Sequence, residues 1–229
     1  MNERAKIIRI YSVVALICAL IIVTALWIRS NQVKPVVEPY YSEKTDFPPL
    51  LTLEKDLVLK RQDGEEVKIS DLKGKVWAFA QFYATCPMCA KRNSQGLKSL
   101  YEKFKGNPDF RLVCITVNPE EDGVEQMQSY AEALDASVAN WWFLTGEPNA
   151  LKDFMHKEMK YDEITKREDP EEAAAKGELV HNMQVVVYNR DLSMVGRRNP
   201  FAAKRDGEKA HQEELKALNQ LVEAVLNQK

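Results

Sequence analysis

An apolar run that stops at two closely spaced cysteines constrains this chain more than any other feature. Lys75-Val76-Trp77-Ala78-Phe79-Ala80-Gln81-Phe82 is rich in aromatic and apolar residues and reads as a buried strand. It is followed by Cys86-Pro87-Met88-Cys89, and then by a helical pattern from Lys91 to Phe104 that places Leu97, Leu100, Tyr101 and Phe104 on one face. Pro87 suits the first helical position, where a missing N–H costs nothing. Cys86 is therefore expected at a helix N-terminus, where unpaired N–H groups and the positive dipole end stabilise a thiolate. Cys89 falls on the same side of that helix, so both sulfurs can meet one partner. Three chemistries fit such a pair: a redox-active dithiol, a metal site, or a structural disulfide.

The compartment bears on that choice. The segment from Tyr11 to Ile28 carries no charge, and about 18 residues at a rise of about 1.5 Å come close to the roughly 30 Å of a hydrocarbon core. Arg4, Lys6 and Arg9 precede it, which predicts a cytoplasmic N-terminus and an exported domain. The reading divides the chain into a cytoplasmic N-terminus 1–9, a transmembrane anchor 10–29, a tether 30–46, a folded domain 47–200 and a C-terminal helix 201–229. A cleaved signal peptide fits less well, because Trp27-Ile28-Arg29 closes the run where small residues would be needed. Ile17 before Cys18 likewise disfavours a lipid-attachment motif, leaving Cys18 as an apolar membrane residue. The chain of 229 residues is 45% hydrophobic, enough for one sizeable core, and Lys+Arg 32 against Asp+Glu 34 gives a net charge of -2. No strong basic block lies in the folded part, which excludes a nucleic-acid binder.

Around the cysteine unit the order of elements is α/β. Residues 56–69 read as a hairpin turning at Asp63-Gly64. Phe110 to Val117 is a strand in which Cys114 is a buried residue, and Val124 to Leu134 a helix. Trp141-Trp142-Phe143-Leu144 is a short strand, and Pro148 opens another helix. Between Lys160 and Glu178 charge dominates, which predicts a solvated insertion with a short helix. Met183 to Tyr188 is a strand with His181 at its entrance, a second strand reaches Gly196, and Leu215, Leu218, Leu221, Val222 and Val225 mark a closing amphipathic helix. On residue type alone His181 reads as a surface or hydrogen-bonding histidine. His156 and His211 read as solvated, and Met88 as a packing residue.

The order β-α-β-α-β-β with C-x-x-C after the first core strand resembles a thioredoxin fold, a central mixed sheet flanked by helices. Gly74-Lys75-Val76, Thr85-Cys86-Pro87, Ile115-Thr116-Val117-Asn118-Pro119 with Asp122, Trp142-Phe143-Leu144-Thr145-Gly146 and His181 narrow this, because together they resemble the Sco/SenC family. The resemblance implies a membrane-anchored, thioredoxin-like protein that binds copper, as Cu(I) or Cu(II), through Cys86, Cys89 and His181. It also implies a partner among cytochrome c oxidase subunits or other thiol or copper proteins, in an extracytoplasmic compartment. The chain departs from the family pattern in spacing its cysteines by two residues rather than three, and in having Asn118 and Val180 where aspartates are usual. The competing expectation is an extracytoplasmic thiol-disulfide oxidoreductase, with Cys86 as nucleophile and Cys89 as resolving thiol. Against it, Leu179 to Gln184 lacks the loop proline typical of such enzymes.

Overall fold

A computed structural model describes residues 3–31, 47–85 and 87–228. Two compact units divide the chain, Met1–Ser42 and Glu43–Lys229. The first contributes a single helix, α1 (Glu3–Asn31). It is apolar all round rather than along one stripe, with Ile10, Leu16, Leu20 and Trp27 all exposed. Among the described residues no helix is long and apolar enough to cross a membrane. The expected span, 10–29, lies within this helix and is not shown as a crossing. Cys18 is exposed on it. Most of the expected tether, 32–46, lies outside the described residues.

The second unit opens with β1 (Leu51–Thr52), the hairpin β2 (Val58–Arg61) and β3 (Glu66–Lys68), and a 3-10 turn at Ile69–Leu72. The cysteine-bearing unit follows as β4 (Val76–Phe82) and α2 (Pro87–Phe104). Next come β5 (Phe110–Thr116), α3 (Val124–Leu134), β6 (Trp141–Thr145) and α4 (Pro148–Asp153), the last continued by a π-helical turn at Phe154–Glu158. The insertion forms β7 (Thr165–Lys166), α5 (Pro170–Lys176) and β8 (Leu179–Val180). The chain closes with β9 (Val185–Tyr188), β10 (Ser193–Arg198), a short α6 (Pro200–Ala203) and α7 (Glu208–Leu226).

Eight strands form one mixed sheet in the order β1-β10-β9-β4-β5-β6-β2-β3. At its centre β4 pairs parallel with β5 and antiparallel with β9. Every residue of β4 is buried, which is what a strand covered on both faces requires. Alternation along β4 separates the two cores. Trp77 and Phe79 face a cluster with Tyr188, Tyr161 and Met155, where Trp77 and Tyr188 stack at 4.1 Å between ring centroids. Phe82 faces the other way, in edge contact with Phe143 at 5.1 Å and near Tyr130 of α3 at 5.4 Å. Cys114 is fully buried in β5 as expected, its Sγ accepting from Trp141 Nε1 at 3.3 Å, and burial pushes its thiol up to about 12. It is inert structural sulfur.

Two close contacts fix the flanking helices. A Cβ on Gly96 of α2 would stand 2.8 Å from the Phe201 ring, so glycine there, costly in a helix by about 1 kcal/mol, lets α6 approach. Arg190 donates to the carbonyls of Gln228 at 2.9 Å and Leu226 at 3.2 Å, satisfying the end of α7. One expectation is corrected here. His211 is not solvated but buried, its Nδ1 2.7 Å from the Pro200 carbonyl oxygen, because the α6 turn folds back over the first turn of α7. His156 is exposed, as expected, with Nδ1 2.9 Å from the Tyr161 carbonyl oxygen.

Candidate metal and dithiol site

The site is built where β4 hands over to α2. Cys86 lies outside the described residues, as do the side chains of Met88 and Cys89; the backbone places Cys89 in the first turn of α2, which Pro87 opens. The turn leading to Cys86 is held by one carboxylate. Asp122, fully buried, accepts from the Ala84 N–H at 2.8 Å, from the Thr85 N–H at 3.4 Å and from Thr116 Oγ1 at 2.6 Å. Its own N–H donates to the Asn118 carbonyl at 2.9 Å. Burial raises the Asp122 carboxyl above its ordinary value, opposed by these donors. Asn118 Nδ2 and Thr85 Oγ1 both reach Glu121 Oε2, at 3.0 and 3.5 Å, so the β5–α3 loop and the cysteine turn are laced together.

His181 comes to the same junction from the other side. Its ring meets the Tyr83 ring edge-on at 5.8 Å, immediately upstream of the cysteine turn. It is carried there by the insertion, whose β8 runs directly into it and pairs antiparallel with β7. Arg167 locks that hairpin, donating from Nη1 to the carbonyls of Gly177 at 2.7 Å and Leu179 at 2.6 Å. His181 Nδ1 lies 3.1 Å from the Asn182 carbonyl oxygen. A carbonyl only accepts, so Nδ1 carries the proton and the lone pair sits on Nε2, one of the two tautomers in which an imidazole can bind a metal. Burial lowers the imidazole below its ordinary pKa, opposed by the bond to the Asn182 carbonyl and aided by the Arg167 charge. Among the described residues no group of three or more His, Cys, Asp or Glu could hold a metal ion.

Beside the junction lies a cleft of about 410 Å³ lined by Tyr83, Thr85, Asn118 and Glu121 on one wall and by Pro170, Ala173 and Glu178 of the insertion on the other. The insertion is thus the solvated, helix-bearing segment expected, and it also walls the site. Its strands β7 and β8 escape sequence reading because two residues are too short to show a period of two. Asp122 and Gln81 are the polar residues whose work is visible only in the fold. Asp122 sits in a motif already singled out by resemblance. Gln81 had no signal beyond being a polar residue inside an apolar strand.

The central mixed sheet with helices, and a strand-to-helix junction bearing two cysteines, define a thioredoxin-like α/β protein. Solved structures agree on that fold. A SCO1/SenC family lipoprotein from Bacillus anthracis superposes with a TM-score of 0.63 at 17% identity, covering 78% of this chain and 98% of that one. BsSco, a Sco-family cytochrome c oxidase assembly protein in which a disulfide switch was identified, gives 0.61 at 22% identity over 79% and 97%. Arabidopsis thaliana ScoI, solved with copper bound, gives 0.57 at 20% identity over 75% and 97%. The SCO1/SenC family model matches residues 50–217, and the chain belongs to that family. Two curated relatives align over shorter stretches. A SCO1 protein homolog of Bacillus subtilis (strain 168) is 33% identical over 42% of this chain and 53% of its own length. A mitochondrial SCO1 homolog 1 of Arabidopsis thaliana is 31% identical over 48% of this chain and 33% of its own.

Proposed function

We propose that this chain is a membrane-anchored copper carrier of cytochrome c oxidase assembly, with copper as its cargo and Cys86, Cys89 and His181 as the cargo's ligands. The observation that supports it best is the approach of His181 to Tyr83, since it brings an imidazole to the junction where the cysteine pair begins. Thiolates suit Cu(I), and an added imidazole makes a mixed site that also accepts Cu(II). The copper-bound relative and the oxidase-assembly relative favour the same reading. The pair then has two states, a reduced dithiol that takes copper and an oxidised disulfide that does not. Oxidation joins the two sulfurs, releases two protons and passes two electrons to an acceptor disulfide or to two Cu(II) ions.

A second reading, an extracytoplasmic thiol-disulfide oxidoreductase, draws on the C-x-x-C spacing and on the disulfide switch of BsSco. One experiment separates the two. The full chain, solubilised in detergent, reduced and loaded anaerobically, is expected to hold stoichiometric copper and to turn over disulfide substrates poorly. Negligible copper together with catalytic turnover would overturn the copper reading.

The anchor rests on the uncharged Tyr11 to Ile28 run and on the exposure of apolar side chains all round α1, a surface that lipid covers and water does not favour. Arg4, Lys6 and Arg9 orient it with the N-terminus cytoplasmic. In sealed cells opened only at the outer face, protease is expected to digest the domain and spare an N-terminal tag. Digestion of the tag with the domain spared would reverse the topology.

A further inference from the structure

A carboxamide in the middle of an apolar core costs free energy unless its hydrogen bonds are met. Gln81 is such a group. It is 3% exposed and shares the β4 face of Trp77 and Phe79. Its Oε1 accepts the Asn182 N–H at 2.9 Å, while its Nε2 points at Met155 Sδ, 3.4 Å away, a weak acceptor. The strong half of its bonding therefore goes to the residue that follows His181.

Asn182 is fixed in turn. Its Oδ1 accepts the Gln184 N–H at 2.8 Å, closing a tight turn at the entrance to β9, and its carbonyl faces His181 Nδ1 at 3.1 Å. A continuous path thus runs from the β4 side chain through Asn182 to the imidazole. At one end is the strand that leads into Cys86, and at the other is the histidine. The family's usual aspartate before the histidine is replaced by Val180, which is exposed and cannot orient the ring. A backbone carbonyl does so here, and Gln81 sets where that carbonyl lies.

We propose that Gln81 is a positioning residue that fixes the His181 imidazole relative to the cysteine strand and so tunes the site toward Cu(II). The proposal rests on the copper reading above. Two thiolates satisfy Cu(I), so the reduced ion tolerates a displaced imidazole; Cu(II) depends on the nitrogen ligand and on its direction. Loss of the Gln81–Asn182 bond therefore separates the two oxidation states, which a purely structural role would not do.

The test uses the full chain in detergent. Gln81→Met keeps the volume and removes the acceptor, whereas Gln81→Glu keeps an acceptor for Asn182. Gln81→Met displaces the Asn182 carbonyl without removing it, so Cu(II) is expected to weaken by about tenfold, the low end of the effect of losing an outer partner of a metal-bound histidine. Its Cu(I) affinity, read by competition with a chromophoric chelator, should change far less. A tenfold split corresponds to a rise of about 59 mV in the copper potential. Nitrogen coupling in the Cu(II) electron paramagnetic resonance spectrum should change in Gln81→Met and be retained in Gln81→Glu. Equal Cu(I) and Cu(II) losses in Gln81→Met, or a spectrum and potential like the parent's, overturn the proposal. Should Gln81→Met not fold, amide exchange in the parent protein decides: the Asn182 N–H is expected to be protected and to slow further on Cu(II) loading. Exchange at the rate of an open loop, or exchange indifferent to Cu(II), overturns it. A parent protein that binds no copper overturns the copper reading itself and this proposal with it, whereas copper binding with Gln81→Met unaltered removes the proposal alone.

Discussion

Replacing either Cys86 or Cys89 with serine should abolish stoichiometric Cu(I) binding, while His181→Ala should keep Cu(I) and lose Cu(II). The asymmetry follows from ligand softness: a serine hydroxyl is a hard donor with little affinity for Cu(I), and an imidazole matters most to the harder ion. His181 is expected to be neutral and to bind through Nε2, because Nδ1 faces the Asn182 carbonyl and burial disfavours the imidazolium. Its removal should therefore cost Cu(II) more than the roughly 10–100-fold typical of losing an outer partner. Chelator competition under reducing, anaerobic conditions and Cu(II) titration by electron paramagnetic resonance give the two affinities. Stoichiometric Cu(I) retained in Cys86→Ser, or Cu(I) lost in His181→Ala, would show that the ligands are not these three. The same serine variants bear on the oxidoreductase reading, in which Cys86→Ser is inactive toward disulfides and His181→Ala is nearly unaffected.

What could be read along the chain was whatever is written locally. The strand at Val76–Phe82 and the helix opened by Pro87 follow from an apolar run and a residue with no N–H to lose, so the two elements that flank Cys86 were legible. Cys114 was legible as buried because it sits among Leu112, Val113 and Ile115. His181 was different. Nothing near Val180-His181-Asn182 distinguishes a ligand from a surface histidine, and only resemblance pointed to it. Its approach to Tyr83 is created by the β4–β9 pairing and by the Arg167-locked hairpin, both made across long stretches of sequence. The misreading of His211 has the same origin. Its place near the start of an amphipathic helix looked solvated, and the cover over it comes from Pro200, outside the helical period. Polar residues that act across the fold, Gln81 above all, carry no local pattern because their partners are supplied by the topology.

Asp122 is the group on which the shape of the cysteine turn is expected to depend most. Asp122→Ala leaves the Ala84 N–H and the Thr116 hydroxyl without their acceptor in a buried site, and at about 1–3 kcal/mol for each orphaned group the expected loss is roughly 2–6 kcal/mol. Asp122→Asn keeps the shape and an acceptor oxygen and should lose much less. The pH dependence sharpens the contrast. Because burial raises the Asp122 carboxyl in the folded chain above its ordinary 3.8, the folded state holds this proton more tightly than the unfolded one. The stabilisation from that proton is complete below about pH 4 and is lost as pH rises through the raised folded value. The stability of the parent chain relative to Asp122→Asn should therefore fall as pH rises across that window and level off above it. Urea denaturation of the two proteins in detergent from mildly acidic to neutral pH measures the difference directly. A difference that grows in the parent's favour with rising pH would mean that the donors outweigh desolvation, and that the ionised carboxylate, not the proton, holds the turn before Cys86.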